Sequence, residues 1–287
     1  MNLYIKEGTK MERCKKILTR IIMYAVMLFV VIISLFPVLW VINASFKTNA
    51  EILSNPFSLP GSLSFEAYQY LFENYSFGRY FANSLLAAGV STLVSLMFYA
   101  MGAYVLAKYN FPGKNLFFIL FTVTLLVPAH SRTQPIFSLV MHLNLYDNIW
   151  GVTLVYLSAG MAMSIFLLKA GFMAVPKALD EAAAIEGAGF WTTFWKINLP
   201  LTKSALTTAG ILMFLNNWNE YYYASLLTTS DKNRTMPIAL SFFTNEFSYN
   251  YTRMFAALAV VIVPGILLYT VAQEQVQASM AATGIKE

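Results

Sequence analysis

The chain has 287 residues, of which 58% are hydrophobic, 16% aromatic and 11% charged, with a mean hydropathy of +0.58. Soluble domains carry about 25% charged residues, so the composition excludes a conventional soluble enzyme, a disordered chain and a secreted disulfide scaffold, and points to a polytopic membrane protein. The net charge of +5 raises nucleic acid as a partner, an idea the placement of the cations argues against below. A single cysteine, Cys14, excludes an intrachain disulfide or a cysteine-built metal cluster and reads as a free thiol on a tail.

In chain order, a basic tail (residues 1–20) leads into an uncharged apolar stretch, Ile21 to Asn43. Its 23 residues reach ~34 Å as a helix, enough to cross a hydrocarbon core of ~30 Å. It is too long for a signal-peptide core and no small-x-small site closes it, so it reads as an uncleaved anchor. An outer loop, residues 44–80, follows with Pro56, Pro60, Gly61, Glu51, Glu66 and Glu73. A core over residues 81–276 then holds five further spans: Phe81 to Ala107, Asn115 to about Val140, Ile149 to Ala170, Lys203 to Leu227, and Phe255 to about Val276. Within the third, Pro128 predicts a kink or end, with a short return segment leading to Asn144. The spans read as helices, because an open sheet edge in lipid leaves backbone groups unsatisfied and barrel-type alternation is absent. The expected class is therefore all-α integral membrane with six transmembrane helices and a short tail, residues 277–287.

Counting Lys and Arg in alternate loops gives thirteen on the side of the first tail and six on the other. The positive-inside bias puts both termini in the cytoplasm, as an even number of spans requires. Topology thus accounts for the basic balance without nucleic acid.

Catalytic signatures are missing from the sequence. His130 and His142 stand twelve residues apart outside any metal-binding arrangement, and no G-x-S-x-G elbow occurs. Gly113-Lys114-Asn115 lacks the earlier glycine and the Ser/Thr of a phosphate loop. No catalytic and no metal site is expected, and ATP, if it drives this protein, would be held by a partner.

The inner loop, residues 171–202, carries the strongest signal. Pro176 reads as a first-turn proline, Asp180 and Glu181 favour the helix start, alanines propagate it, and Gly187 ends it at positive φ. Leu179, Ala182, Ala183 and Glu186 share one helical face that another protein could approach closely. Phe190, Phe194 and Ile197 form a second apolar stripe, broken by Pro200 before the fifth span.

The string Glu181-Ala182-Ala183, three residues, Gly187, nine residues, Ile197, one residue, Leu199-Pro200 resembles the EAA loop of ABC importer permeases. Phe111-Pro112-Gly113-Lys114, Leu145-Tyr146-Asp147, Trp218-Asn219-Glu220 and the Ala282-to-Lys286 tail extend the resemblance to the carbohydrate-uptake branch, and within it to the six-span maltose-type permease subunit. The resemblance implies a type I ABC importer permease fold with a cytosolic coupling loop. It implies as partners a second permease subunit, two cytosolic ATPases that bind the ATP and magnesium, an extracellular solute-binding protein and membrane lipid. It also implies the cytoplasmic membrane of a bacterium or archaeon, and no cofactor on this chain. ATPase coupling falls to Leu179, Glu181, Ala182, Ala183, Glu186, Gly187, Ile197, Leu199 and Pro200, with Ala182 and Ala183 permitting close approach to a groove and Glu181 meeting a basic ATPase residue. Two departures stand out: Glu186 replaces the commoner Asp, and Gly189 stands where a capping Ser or Asn is usual, which weakens the start of the second helix.

The fifth span holds Asn216, Asn217, Trp218, Asn219, Glu220 and Tyr221. An acid at mid-membrane costs ~2.5–3.5 kcal/mol on insertion scales, so Glu220 should not face lipid. Two readings stay open: a polar, aromatic lining of a sugar translocation path, or a polar girdle that locks this span to its neighbours. The outer loops Ala44–Tyr80 and Thr228–Tyr251 read as docking surfaces for the binding protein, the second by its aromatic weight at Phe242, Phe243, Phe247, Tyr249 and Tyr251. An ion-driven transporter would need more intramembrane ionisable groups than Glu220, and a membrane enzyme a catalytic constellation.

Overall fold

The computed structural model describes residues 2–246 and 249–284, except the side chains of 2–16, 129, 268–269 and 271–284. The expectations for Phe247, for the Ile285–Lys286 end of the tail and for the Cys14 thiol lie outside the described residues. Among the described residues every regular element is helical. The chain divides into two compact units, residues 1–73 with 247–260, and residues 74–246 with 261–287.

In the first unit, helix α1 (Asn2–Ala44) runs uninterrupted through Pro37 and includes the predicted anchor. Its apolar window is unburied, with Phe29 63% exposed, as suits a helix whose solvent is lipid. The end of α1 is held by polar contacts from the following loop: the Trp40 indole donates to the Pro56 carbonyl (2.9 Å) and the Asn43 amide to the Ser58 carbonyl (2.9 Å). Lys47 is fully buried just past the α1 C-terminus, its Nζ donating to the carbonyls of Asn55 (3.0 Å) and Pro56 (3.2 Å) and to Ser58 Oγ (3.2 Å). Helix α2 (Asn49–Ser54) starts with a reciprocal Thr48–Glu51 capping box, and α3 (Glu66–Asn74) follows. Arg253 stacks its guanidinium 3.5 Å over the Tyr70 ring, and Phe255 meets Trp40 edge-on at 5.0 Å.

The second unit is built around α4 (Phe77–Lys108), which starts four residues before the predicted second span and buries Ala87, Ala88, Ser91, Ser95, Ala100 and Ala103. Small side chains let neighbouring backbones approach it closely. The third predicted span bends as expected: α5 (Lys114–Val123), two 3₁₀ turns around Pro128, and α6 (Thr133–His142), with an angle of 100° between the arms. The fourth is not one helix. α7 (Ile149–Tyr156) and α8 (Met161–Ala174) meet at 48°, with Gly160 at φ +68° starting the second arm. The bend is tolerated because Ser95 Oγ (2.7 Å) and Tyr99 OH (2.6 Å) on α4 donate to the Leu157 carbonyl it frees.

Then come α9 (Lys177–Ile185), the short α10 (Phe190–Thr192), a π-helical turn (Thr193–Asn198) and α11 (Leu199–Leu201). The fifth predicted span is also interrupted, into α12 (Lys203–Trp218) and α13 (Tyr222–Leu227). α14 (Met236–Glu246) lies inside the second outer loop, and α15 (Tyr251–Gly284) closes the chain. Among the described residues two single helices are long and apolar enough to cross a membrane, or four spans if each bent pair counts as one, and the expected fourth and fifth spans are each interrupted. Windowed hydropathy sees length but not the Gly160 and Asn219–Tyr221 breaks, which a polar partner makes tolerable in lipid.

Candidate functional site

The inner-loop motif folds as a short helix with a defined stop. α9 begins at Lys177, with Pro176 one residue ahead of it rather than in its first turn. Gly187 takes φ +79°, and the Ala188 N–H reaches back to the Ala183 carbonyl at 2.9 Å, the six-to-one bond of a Schellman turn. The outward face carries Glu181, Ala182 and Glu186, with Ile185 89% exposed and Leu179 half out. Ala183 does not belong to that face: it is 5% exposed and packs inward, so the close approach expected of the Ala182–Ala183 pair falls to Ala182, with Ile185 beside it. The physical reason is that Asp180, three residues earlier on the same face of α9, is held inward by its partners.

Asp180 is the residue whose role the sequence pattern hid. Its Oδ2 pairs with Lys108 Nζ, the last residue of α4, at 2.8 Å, and its Oδ1 accepts from the Asn198 amide at 2.6 Å. Lys108 also donates to the Val175 carbonyl (2.8 Å), and fully buried Asn198 donates to Thr193 O (3.3 Å). One carboxylate thus joins the end of α4, the first turn of α9 and the π-turn. Locally, Asp180 showed only as an acid suited to a helix N-terminus. Its partners lie 72 and 18 residues away, where no periodicity points.

Aromatic rings complete the seat of the loop. Tyr104 of α4 contacts Phe172, Phe190 and Phe194 at ring-centre separations of 5.1–5.5 Å. Phe194 is fully buried, Ile197 and Leu199 are half-buried and Pro200 is exposed, so the second stripe faces partly into this chain. It is not a regular α-helix. Pro200 has no N–H to return to the Lys196 carbonyl, and the segment before it winds as a π-turn.

The interruption of the fifth span separates residues expected to share one lining. Asn217 turns inward, 2% exposed, and donates to Ser91 Oγ on α4 at 3.0 Å; Trp218 is 5% exposed and packs on Phe81 and Phe214. Asn216 and Asn219 are exposed, the latter bonded to the Leu215 carbonyl (2.8 Å). Glu220 sits at the break and caps the restarted helix: Oε1 accepts the Tyr223 N–H (2.8 Å), Oε2 the Ala224 N–H (3.1 Å) and the Tyr156 hydroxyl (2.9 Å). The girdle reading therefore describes Asn217 and Glu220. Trp218, Asn219 and Tyr221 do border a cavity of about 690 Å³, with Met236, Pro237, Leu240, Ser241 and Thr244 of α14 and Val261, Ile262 and Ile266 of α15 on its other walls. Tyr221 OH meets Ser241 Oγ there at 3.2 Å.

A second carboxylate fastens the opposite loops of this unit. Asn144 and Asp147 take φ +54° and +50°, a conformation short Asn and Asp side chains tolerate. The Asp147 carboxylate accepts the backbone N–H groups of Thr229 and Ser230 at 2.8 Å and the Ser230 hydroxyl, while the Asn233 amide donates to its carbonyl. Partial burial raises its pKa, but the Ser230 hydroxyl, the Ser230 and Thr229 N–H groups and Asn233 outweigh that and hold it well below the usual carboxylate range. The aromatic residues of the second outer loop divide: Phe243 is buried against Tyr75 and Phe77 and Arg234 lies 4.2 Å over the half-buried Phe242, while Tyr249 is 92% exposed. His130 packs edge-on against Tyr222, and among the described residues no cluster of His, Cys, Asp and Glu could hold a metal ion.

Residues 99–281, which hold the loop and the interrupted span, match the family described as "binding-protein-dependent transport system inner membrane component". The chain is 31% identical to a diacetylchitobiose uptake system permease protein of Streptomyces coelicolor, over 91% of this chain and 87% of that one. It is 32% identical to an arabinooligosaccharides transport system permease protein of Halalkalibacterium halodurans, over 90% and 93%. Among solved structures it superimposes, with a TM-score of 0.77 and 26% identity, on a chain of a bacterial ABC transporter involved in the import of the acidic polysaccharide alginate, covering 88% of this chain and 95% of that one. The chain thus belongs to the binding-protein-dependent transport system inner membrane component family, the membrane-embedded permease subunits of ABC transporters.

Proposed function

We propose that this chain is the permease subunit of an ATP-driven importer for a sugar or oligosaccharide, forming half of a translocation path. The relatives above are permease proteins of a diacetylchitobiose uptake system and an arabinooligosaccharides transport system, which supports the carbohydrate class. In this reading the loop of residues 171–202 and both termini face the cytosol. α9 docks on one of two ATPase subunits that hold the ATP and magnesium, a second permease completes the path, and an extracellular solute-binding protein delivers the substrate. The observation that carries the reading is the outward face of α9. Glu181, Ala182 and the 89%-exposed Ile185 stand clear of the chain on a helix whose other side is locked to α4, a surface built to be gripped. At the other end, Asn219, Tyr221, Ser241 and Thr244 offer hydrogen-bonding groups in an otherwise apolar cavity, as a path for a hydroxyl-rich solute needs.

The test is uptake by proteoliposomes containing the full transporter, with ATP enclosed and binding protein outside, in the absence of any ion gradient. Uptake that requires both ATP and binding protein is expected, and Glu181→Lys or Ile185→Asp should release the ATPase subunits on purification. Uptake driven by an ion gradient without ATP refutes the reading.

A further inference from the structure

A partly buried ion pair joins α9 to α4. Lys108 ends α4, and its side chain is 6% exposed; Asp180, 23% exposed, lies in the first turn of α9. Their 2.8 Å ion pair, the Asn198 amide on the second carboxylate oxygen, and the Lys108 bond to Val175 O tie three separate segments at one point. The far end of α4 is tied in the same manner. Tyr80 OH donates to Asp231 Oδ1 (2.7 Å), the Asn83 amide donates to the carbonyls of Lys232 and Arg234 (2.9 Å each), and Ser84 Oγ accepts the Met236 N–H (2.8 Å). With 32 residues α4 is ~48 Å long, so one helix carries fixed polar joints at both ends of the unit.

We propose that Lys108 and Asp180 are positioning residues for transport: their ion pair passes displacement of the coupling helix into α4, and through α4 to the outer loop at residues 231–236. The proposal rests on the docking of α9 put forward above. Lys108 touches neither nucleotide nor solute, and acts through Asp180. The physical ground is that a directional, partly buried ion pair with a second hydrogen bond on the same carboxylate keeps its geometry under load, whereas the apolar contacts around it can slide. A coupling free energy of ordinary size corresponds to a five- to 150-fold effect, and about ten-fold is expected here.

The experiment uses the complete transporter in proteoliposomes and reads three quantities: recovery of ATPase subunits with the permease, melting temperature, and binding-protein-stimulated ATP hydrolysis per solute taken up. Lys108→Met and Asp180→Asn should each melt several degrees below the wild type, because either leaves a partly buried charge without its partner, yet keep the ATPases attached and, assayed well below their melting points, lose about ten-fold of the stimulation. The double variant should be no worse than either single one, and Lys108→Arg should recover most of the loss. Wild-type stimulation in Lys108→Met, additive losses in the double variant, or detachment of the ATPases from either single variant would each overturn the proposal, the last by reducing the pair to a contact that holds the docking loop in shape. Glu181→Lys serves as the control. If it is impaired while Lys108→Met is not, the clamp alone fails; if it behaves as wild type, the docking reading fails and the clamp with it.

Discussion

Replacing Glu220 by Gln separates two roles that an acid in a membrane-spanning segment can have. The carboxylate accepts two backbone N–H groups of α13, at 2.8 and 3.1 Å, and the Tyr156 hydroxyl at 2.9 Å. A glutamine has nearly the same shape but only one accepting oxygen, and its NH₂ group faces at least one donor. Losing a helix cap costs about 0.5–2 kcal/mol, and losing a hydrogen bond to a charged group about 1.5–3 kcal/mol. The two overlap on one side chain, so a destabilisation of about 2–4 kcal/mol is expected for Glu220→Gln. Tyr156→Phe leaves the cap and removes one donor, for about 1.5 kcal/mol. Because the residues touch, the double variant should fall short of the sum by about 1 kcal/mol or more. Thermal melting of the purified transporter in detergent reads this series, with uptake measured in parallel. Melting should drop by several degrees in Glu220→Gln, and uptake should fall only as far as the folded fraction does. A variant that melts like the wild type but transports nothing would mean that Glu220 meets the solute, and the capping argument would be refuted.

Substitutions at three further positions test other joints. A methyl group added at Gly151 would stand 2.2 Å from the Leu145 carbonyl oxygen, which is backbone and cannot swing away; Gly151→Ala should lower the melting temperature through about 1–3 kcal/mol of overpacking, and unchanged melting would mean the turn yields. Gly187 at φ +79° has nothing within 4 Å of its missing side chain, so Gly187→Ala should impose only backbone strain of about 1–2 kcal/mol. Gly187→Pro forbids the turn and should abolish stimulated ATP hydrolysis while membrane insertion persists; full stimulation by loaded binding protein in that variant would remove the loop from the mechanism. Asp147 has a folded-state pKa below its ordinary value of 3.8, so the stability it supplies is complete above that value and is lost only as the pH falls through the depressed one. The melting difference between wild type and Asp147→Asn should therefore stay constant from neutral pH to about pH 5. A difference that vanishes between pH 6 and 5 would show that the Ser230 and Thr229 contacts do not hold the charged form.

The class of fold and the shape of the inner loop were readable from local pattern. Apolar length gave α1 and α4, Pro128 gave the 100° bend, and Gly187 gave the end of α9, because each depends on residues adjacent in the chain. What stayed hidden depends on pairs distant in sequence. Asp180 looked like a generic helix-start acid until Lys108 and Asn198 were found on it, and Ala183 looked like part of a docking face until that pairing turned it inward. The polar run from Asn216 to Tyr221 read as a single unit, lining or girdle, because a continuous helix was assumed. Once α12 stops at Trp218, Asn217 and Glu220 serve the chain itself while Asn219 and Tyr221 face the cavity.

The two breaks that hydropathy missed obey one rule. A helix interrupted in lipid exposes backbone donors and acceptors at several kcal/mol each, so an interruption persists only where another group replaces the lost partner. At the α7–α8 bend the replacement comes from α4, whose Ser95 and Tyr99 both donate to the Leu157 carbonyl. At the α12–α13 break it comes from Glu220, whose carboxylate takes the first free N–H groups and is itself held by Tyr156. Ser95 and Tyr99 on α4 and Tyr156 on α7 lie in helices that read as ordinary apolar spans. Other hydroxyls of these helices return to their own backbone, as Ser91 and Thr153 do to the Ala87 and Ile149 carbonyls; these three instead reach the points where neighbouring spans come apart, the Leu157 carbonyl and Glu220.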